Sequence, residues 1–347
     1  MLRAMLCASF WTTGTEFVEL CEILPPRHPT WNRGLLKAIL LSSSKLILLT
    51  PIRGIVHAKA AISWHTLRAL FFVGCSDADA EEKLYIPART GTLNVLKAAK
   101  HAKSVKRVVL TSSMAAIGGG HSNEELESDP EILWTDENSA DPYSKSKTMA
   151  EKAAWEFVRE HPSAFELAVV NPTLVVGPPL SPGDATSHEI VRRLVMRQMP
   201  GVPDLEYTLV DVRDVARAHR LAIEVPEAAN QRYALVGGLI NFLDWAKILH
   251  DDLKPLGYNP PTRKLPYVLL WLVSWFDAGV RTILPSVGKP AARTNCEKVE
   301  QQLGLQFRDL KSTLIDHAHA CISQGTPGFK MTAAFKAAEA KSTSHDQ

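Results

Sequence analysis

An α/β fold built on a mostly parallel sheet is predicted by three observations. Between Ala69 and Gly177, short apolar runs alternate with segments of helical periodicity, the pattern that βαβ units require. Strand, helix, strand, helix and strand follow one another at short spacing. Asp141-Pro142 opens the second helix with an N-cap acceptor followed by proline at the first helical position.

Taken in order, Leu70 to Val73 (LFFV) reads as a buried strand and Asp77 to Glu82 as an acidic loop. Thr90 to Lys103 reads as a helix whose apolar stripe is Leu93, Leu96 and Ala99. Arg107 to Thr111 (RVVLT) is the next strand, ending in Ser112 and Ser113. A loop follows, with Gly118 to Gly120 and the acidic run Glu124 to Asp129; then come a helix over Tyr143 to Glu160 and a strand over Phe165 to Val170. Gly118 to Gly120 precede no helix start, so they read as a flexible loop in place of a phosphate cradle.

Beyond Gly177 the pattern loosens. Pro178, Pro179, Pro182 and Gly183 make a loop, and Glu189 to Met199 a helix. Tyr207 to Val210 is extended, and Asp211 to Ile223 is a helix with Asp214 near its start, where an acidic residue usually caps. A strand over Arg232 to Val236 and a helix over Asn241 to Leu253 complete this part. The run LPYVLLWLVSWF (265–276) is 12 residues long, short of the roughly 20 that cross a bilayer. It reads as a buried helix near a substrate pocket, with an interface or a membrane surface as alternatives. Trp271 and Trp275 share one face of it, as packing residues. Residues 326–347 read as a disordered tail with one weak helical patch.

Composition bounds the function classes. The chain has 347 residues with 46% hydrophobic and 22% charged, and 39 basic residues against 37 acidic give +2. Those values exclude a disordered, collagen-like or coiled-coil chain and an electrostatic nucleic-acid binder. Five cysteines with no CxxC spacing exclude a disulfide scaffold or zinc module and fit the cytoplasm. Met1 to Phe10 has a short apolar run but no small-residue cleavage site after it, so no secretory leader is expected. His317 and His319 are two apart and face different ways on a helix, so they are not expected to share a metal. No metal site is expected.

The chemistry lies between Thr111 and Thr173. Tyr143 and Lys147 are four residues apart on one helix, so their side chains share a face. Ser112 and Ser113 follow a strand whose carboxyl end is where ligands bind in open α/β sheets. Free tyrosine has a pKa near 10, too high to exchange protons readily at neutral pH. A neighbouring ammonium stabilises the phenolate and lowers it, typically by about 1 to 3 units. A Tyr acid, a Lys beside it and a Ser donor can therefore move a proton to or from a carbonyl oxygen.

The segments TGTLNVLKAAK (90–100), KRVVLTSSMAAI (106–117), DPYSKSKTMAEKAAWEF (141–157) and VVNPTLVVGPPL (169–180) resemble the extended short-chain dehydrogenase/reductases. LVDVRDVARAH (209–219), RYALVGG (232–238), WFDAGVRTILPSVGKP (275–290) and LGLQFRDLKSTLIDHA (303–318) are similar to the dihydroflavonol-reductase-like branch. The resemblance implies a Rossmann-type sheet with a smaller C-terminal substrate region, and a dependence on NADP (or NAD). It further implies Tyr143 as acid/base, Lys147 on the nicotinamide ribose, and Ser113 holding the carbonyl oxygen, with Ser112 as its alternative one position earlier. Thr111, Ser112, Asn171, Pro172 and Thr173 would line the cofactor. On this reading residues 70–177 carry the catalytic part, 178–325 the substrate region, and 1–69 an atypical segment.

That segment departs from the family. The family opens with TGxxGxxG, whose glycines let the backbone approach a pyrophosphate at a helix N-terminus; no such motif exists in this chain. The nearest echo is KLILLTPIRGIVHAKAAISW (45–64), where Pro51 and His57 take the places of the first and last glycines. From Thr50 to Leu70 there are 20 residues, whereas one βαβ unit needs roughly 30. The expected function is therefore a reductase of a small ketone, aldehyde or secondary alcohol with a degenerate or missing N-terminal βαβ part. The alternatives are a non-catalytic relative that has lost cofactor binding, or a sugar-nucleotide epimerase/dehydratase.

Overall fold

A computed structural model describes residues 38–42, 45–48, 77–138, 140–183 and 185–343 of the chain. The described strands are β1 (Ala38–Ser42), β2 (Lys45–Leu48), β3 (Arg107–Thr111), β4 (Glu166–Pro172), β5 (Leu174–Val176), β6 (Glu206–Asp211), β7 (Arg232–Leu235) and β8 (Gly238–Asn241). Five of them form the main sheet in the order β2-β1-β3-β4-β7, and β5-β6-β8 form a second. β1, β3, β4 and β7 are parallel, while β2 pairs antiparallel with β1. This is the expected α/β architecture.

Three helices frame the main sheet: α1 (Ile86–Ala102), α2 (Pro142–Glu160) and α3 (Val212–Glu224). Val108, Val109 and Leu110 of β3 are all buried, as befits a central parallel strand covered on both faces. Successive residues point to opposite faces. Val108 and Leu110 pack with Leu96 and Ala99 of α1 and Ala154 and Phe157 of α2. Val109 packs with Ala218 and Ala222 of α3 and with Tyr233 and Leu235 of β7. Arg107 pairs with Glu166 at 2.7 Å. Its guanidinium donates to the carbonyls of Ala222 and Ile223 at 2.9 and 3.2 Å, satisfying the open end of α3.

The N-terminal side differs from a βαβ unit in a specific way. β1 lies parallel to β3, with Ala38 opposite Arg107 and Ser42 opposite Thr111. Two residues later the chain returns antiparallel as β2, with Ser42 opposite Lys45. A hairpin therefore follows β1 where a phosphate-binding unit would place a helix N-terminus. The strand expected at Leu70 to Val73 lies outside the described residues.

Several expectations are corrected. The acidic stretch at Asp77 to Glu82 is helical, running through Asp77–Ala80 and a π-helical turn Glu81–Tyr85 into α1, because Ala80, Leu84 and Tyr85 are buried against Met149. On α1 the buried stripe is Val95, Leu96 and Ala99, with Leu93 only partly covered. The acidic run after Ser122 forms a helix over Asn123–Ser128, closed by a capping box in which Ser122 and Glu125 exchange hydrogen bonds. The helix at 186–195 starts three residues earlier than expected and ends at Val195. Asp211, not Asp214, caps α3, accepting from the Arg213 N–H; Asp214 is buried and accepts from the Arg308 N–H at 2.8 Å.

Two larger corrections concern the C-terminal half. The apolar helix Tyr267–Val273 buries only Leu270. Val268, Trp271, Leu272 and Trp275 are exposed and Phe276 is 91% exposed, so this run is an apolar surface, not a core helix. Trp271 and Trp275 do pack edge to face, 5.0 Å apart. The presumed tail instead carries a helix over Ala333–Thr343. Phe335 of that helix is buried edge-on against Tyr258 at 6.1 Å, and the Tyr258 hydroxyl donates to the Lys330 carbonyl at 3.0 Å. One buried aromatic anchors a segment whose composition predicts only a weak helical patch.

Gly177 ends β5 at φ +118, where an added Cβ would stand 3.1 Å from Val212 Cγ1 and 3.2 Å from Asp211 Oδ1. Gly177→Ala is expected to cost about 1–3 kcal/mol through backbone strain, read as a lowered denaturation midpoint. An unchanged midpoint would refute it.

Candidate active site

Three elements deliver the predicted residues to one end of the sheet. β3 ends at Thr111 and leads into Ser112 and Ser113; β4 ends with Asn171 and Pro172 and leads into Thr173; the first turns of α2 bring Tyr143 and Lys147. Asp141 fixes the start of α2, its Oδ1 accepting from the N–H of Tyr143 at 2.9 Å and of Ser144 at 3.2 Å. One helical turn on, Lys147 Nζ lies 5.2 Å from the centroid of the Tyr143 ring. Lys147 is 9% exposed, and among the described residues no carboxylate pairs with it.

The serine pair is resolved by burial. Ser112 is buried and its N–H donates to the Val170 carbonyl at 2.8 Å, extending the β3–β4 ladder; its Oγ has no hydrogen-bond partner among the described residues. Ser113 is half-buried, and its Oγ accepts from the Ala115 N–H at 3.1 Å as the cap of the short turn Met114–Ala116. The accepting hydroxyl keeps its own hydrogen to donate. Ser113 is thus the serine with access.

Thr111 is committed elsewhere. His219 Nδ1 lies 2.7 Å from the Val215 carbonyl and so carries the proton; its Nε2 accepts from Thr111 Oγ1 at 2.6 Å. Burial lowers the pKa of His219 and keeps the ring neutral. Asn171 is fully buried, its Nδ2 donating to Glu151 Oε2 at 2.8 Å and to the Ser113 carbonyl at 3.1 Å, while Oδ1 has no partner among the described residues. Thr173 Oγ1 donates to the Thr208 carbonyl at 2.9 Å, tying β4 to the second sheet, and its N–H donates to the Leu235 carbonyl at 3.1 Å. Pro172 pairs in register with Leu235.

Two residues of this neighbourhood were not singled out from sequence. Glu151 and Arg232 form an ion pair at 2.6 Å with side chains 0% and 8% exposed. Glu151 lies one further turn along α2 from Lys147, so the spacing Tyr143, Lys147, Glu151 was a readable signal.

Behind the second sheet, His188, His317 and Cys321 are buried with candidate ligand atoms within 4.8 Å of one another. Gly177 N–H donates to His317 Nδ1 at 3.2 Å, so the neutral ring carries its proton on Nε2, which then has no lone pair for a metal. The two rings pack edge to face at 5.1 Å, and His317 Nε2 has no hydrogen-bond partner among the described residues. Burial, reinforced by the neighbouring His188, pushes the His317 pKa down to about 3. A histidine depressed in the folded state stays neutral while the unfolded chain takes up a proton, so stability falls as pH drops below about 6.5 and continues falling toward about 3. Near pH 5 the loss should be about 2 kcal/mol relative to neutral pH. His317→Gln should flatten that slope in denaturation midpoints measured against pH; an unchanged slope would refute the assignment.

Comparison with known proteins bears on this site. The family model described as the NAD dependent epimerase/dehydratase family matches residues 67–237. An uncharacterised oxidoreductase of Schizosaccharomyces pombe is 37% identical over 190 residues, covering 50% of this chain and 56% of that protein. An NADPH-dependent methylglyoxal reductase of Saccharomyces cerevisiae is 33% identical over 267 residues, covering 70% of this chain and 72% of that one. The crystal structure of the yeast methylglyoxal/isovaleraldehyde reductase with NADPH superimposes with a TM-score of 0.59 at 29% identity, covering 84% of this chain and 78% of that one.

Proposed function

We propose that this chain, which belongs to the NAD dependent epimerase/dehydratase family, is an NADPH-dependent reductase of small aldehydes and ketones. The observation that carries the reading is the Lys147 ammonium 5.2 Å from the centroid of the Tyr143 ring, with no carboxylate paired to it among the described residues. When bound, the nicotinamide supplies the hydride. Tyr143 donates its phenolic proton to the carbonyl oxygen as negative charge develops there, and the Lys147 ammonium stabilises the phenolate left behind. Ser113 Oγ–H donates a hydrogen bond to the same oxygen, holding the carbonyl in place. The alcohol leaves with one hydrogen on carbon and one on oxygen.

The nicotinamide end of a dinucleotide fits the residues present. Among the described residues no carboxylate pairs with Lys147, and Ser112 Oγ and Asn171 Oδ1 are buried without hydrogen-bond partners. The pyrophosphate end has no glycine loop in the sequence, and β1 passes into a hairpin. That departure favours one competing reading, a relative that keeps the fold and has lost cofactor binding. Among the described residues no helix is long and apolar enough to cross a membrane. Half-buried Cys296 and buried Cys321 are free thiols, as a cytoplasmic enzyme would carry.

Purified protein mixed with NADPH and isovaleraldehyde should consume NADPH in proportion to aldehyde. Absence of both consumption and tryptophan quenching by NADPH would overturn the reading.

A further inference from the structure

We propose that Glu151 is a positioning residue for this reaction: through the side-chain amide of Asn171 it holds Ser113 in place relative to Tyr143 and Lys147. The proposal rests on the carbonyl-reductase reading of the site.

The chain of contacts is continuous and buried. Glu151 Oε1 accepts from Arg232 Nε at 2.6 Å and from Trp155 Nε1 at 3.3 Å. Its Oε2 accepts from Asn171 Nδ2 at 2.8 Å, and the same Nδ2 donates to the Ser113 carbonyl at 3.1 Å. That carbonyl also accepts from the Ala116 N–H at 2.9 Å, so both of its acceptor positions are filled.

Asn171 could present either end of its amide. A carboxylate accepts only, so Glu151 forces the NH2 toward itself and, with it, toward Ser113. An uncharged residue at position 151 would leave that choice open. Stability does not require a charge here, since well-packed apolar residues commonly replace a buried ion pair at little or no cost. What the charge adds is one fixed orientation of Asn171, and therefore one position of the backbone that bears Ser113. Because Glu151 lies on the helix face of Tyr143 and Lys147, the same residue ties the proton donor's helix to the strand end carrying the hydroxyl.

The test compares crystal structures, melting temperatures and steady-state kinetics of three variants. Glu151→Gln puts an amide NH2 against Asn171, whose own amide must turn over, so the Ser113 carbonyl loses its side-chain donor and keeps only the Ala116 N–H. The kcat should fall about 10-fold to 100-fold with KM nearly unchanged. Asn171→Ala leaves the Arg232–Glu151 pair intact and should give the same fall, which covers the case where Glu151→Gln does not fold. In Glu151→Gln combined with Asn171→Asp, the new amide donates to the new carboxylate and the melting temperature recovers. The kcat stays low, because the side chain at position 171 no longer donates to the Ser113 carbonyl and only the Ala116 N–H holds it.

A purely structural role predicts that kcat returns with the melting temperature in the double variant; that result, or an unchanged kcat in Asn171→Ala, overturns the proposal. If the wild-type chain reduces no aldehyde, the functional reading fails separately. The Ser113 carbonyl position in the variant crystal structures still decides the positioning claim, since an unmoved carbonyl contradicts it.

Discussion

Tyr143→Phe is expected to lower kcat/KM for aldehyde reduction by about 10²-fold to 10⁴-fold, the range a positioned general acid contributes. The substitution removes one oxygen from a half-buried ring whose hydroxyl has no hydrogen-bond partner among the described residues. No buried group loses a partner, so the melting temperature should hold, and so should quenching of tryptophan fluorescence by NADPH. The Lys147 contact with the ring face at 5.2 Å is also retained. Loss of rate with retained binding assigns the proton to Tyr143; a change in kcat/KM of only a fewfold would mean that another group supplies it.

Arg232→Met is expected to have the largest effect on stability. Arg232 Nε donates to Glu151 at 2.6 Å, and Nη1 donates to the carbonyls of Glu131 and Leu133 at 2.8 and 2.7 Å. The guanidinium carbon also stands 4.0 Å from the centroid of the Trp134 ring. Removing the cation leaves the fully buried Glu151 carboxylate without its counter-charge, a loss of about 3–5 kcal/mol. Urea denaturation at constant m-value measures it. Pairing Arg232→Met with Glu151→Leu should recover much of the loss, because an apolar pair leaves no buried charge behind. A single variant as stable as the wild type would show that the pair is not buried as described.

How far the sequence could be read follows from which forces are local. The start of α2 was legible because Asp141 and Pro142 act within one turn, and β3 because a short apolar run bounded by polar residues has few other uses. Tyr143 and Lys147 were legible because helical spacing alone puts them on one face. The Ser122–Glu125 capping box is equally local, a serine followed three residues later by a glutamate at the start of the helix Asn123–Ser128. Phe335 could not be read, since what holds it is Tyr258, 77 positions away in the chain. The exposed helix at 267–273 could not be read either, because an apolar sequence does not state whether a partner covers it. Glu151 and Arg232 lie 81 positions apart, and only the β4–β7 pairing, with Arg232 opposite Val169 and Ala234 opposite Asn171, brings Arg232 and Asn171 within reach of the same carboxylate.

The most direct measurement of the account is the fate of the transferred hydrogen. With NADPH deuterated at the reactive carbon and isovaleraldehyde as substrate, the wild-type chain should yield alcohol carrying one deuterium on the former carbonyl carbon, and Tyr143→Phe should yield almost none. Alcohol without label, or NADPH binding with no label transfer, would contradict the account, the latter in favour of a chain that holds the cofactor without using it.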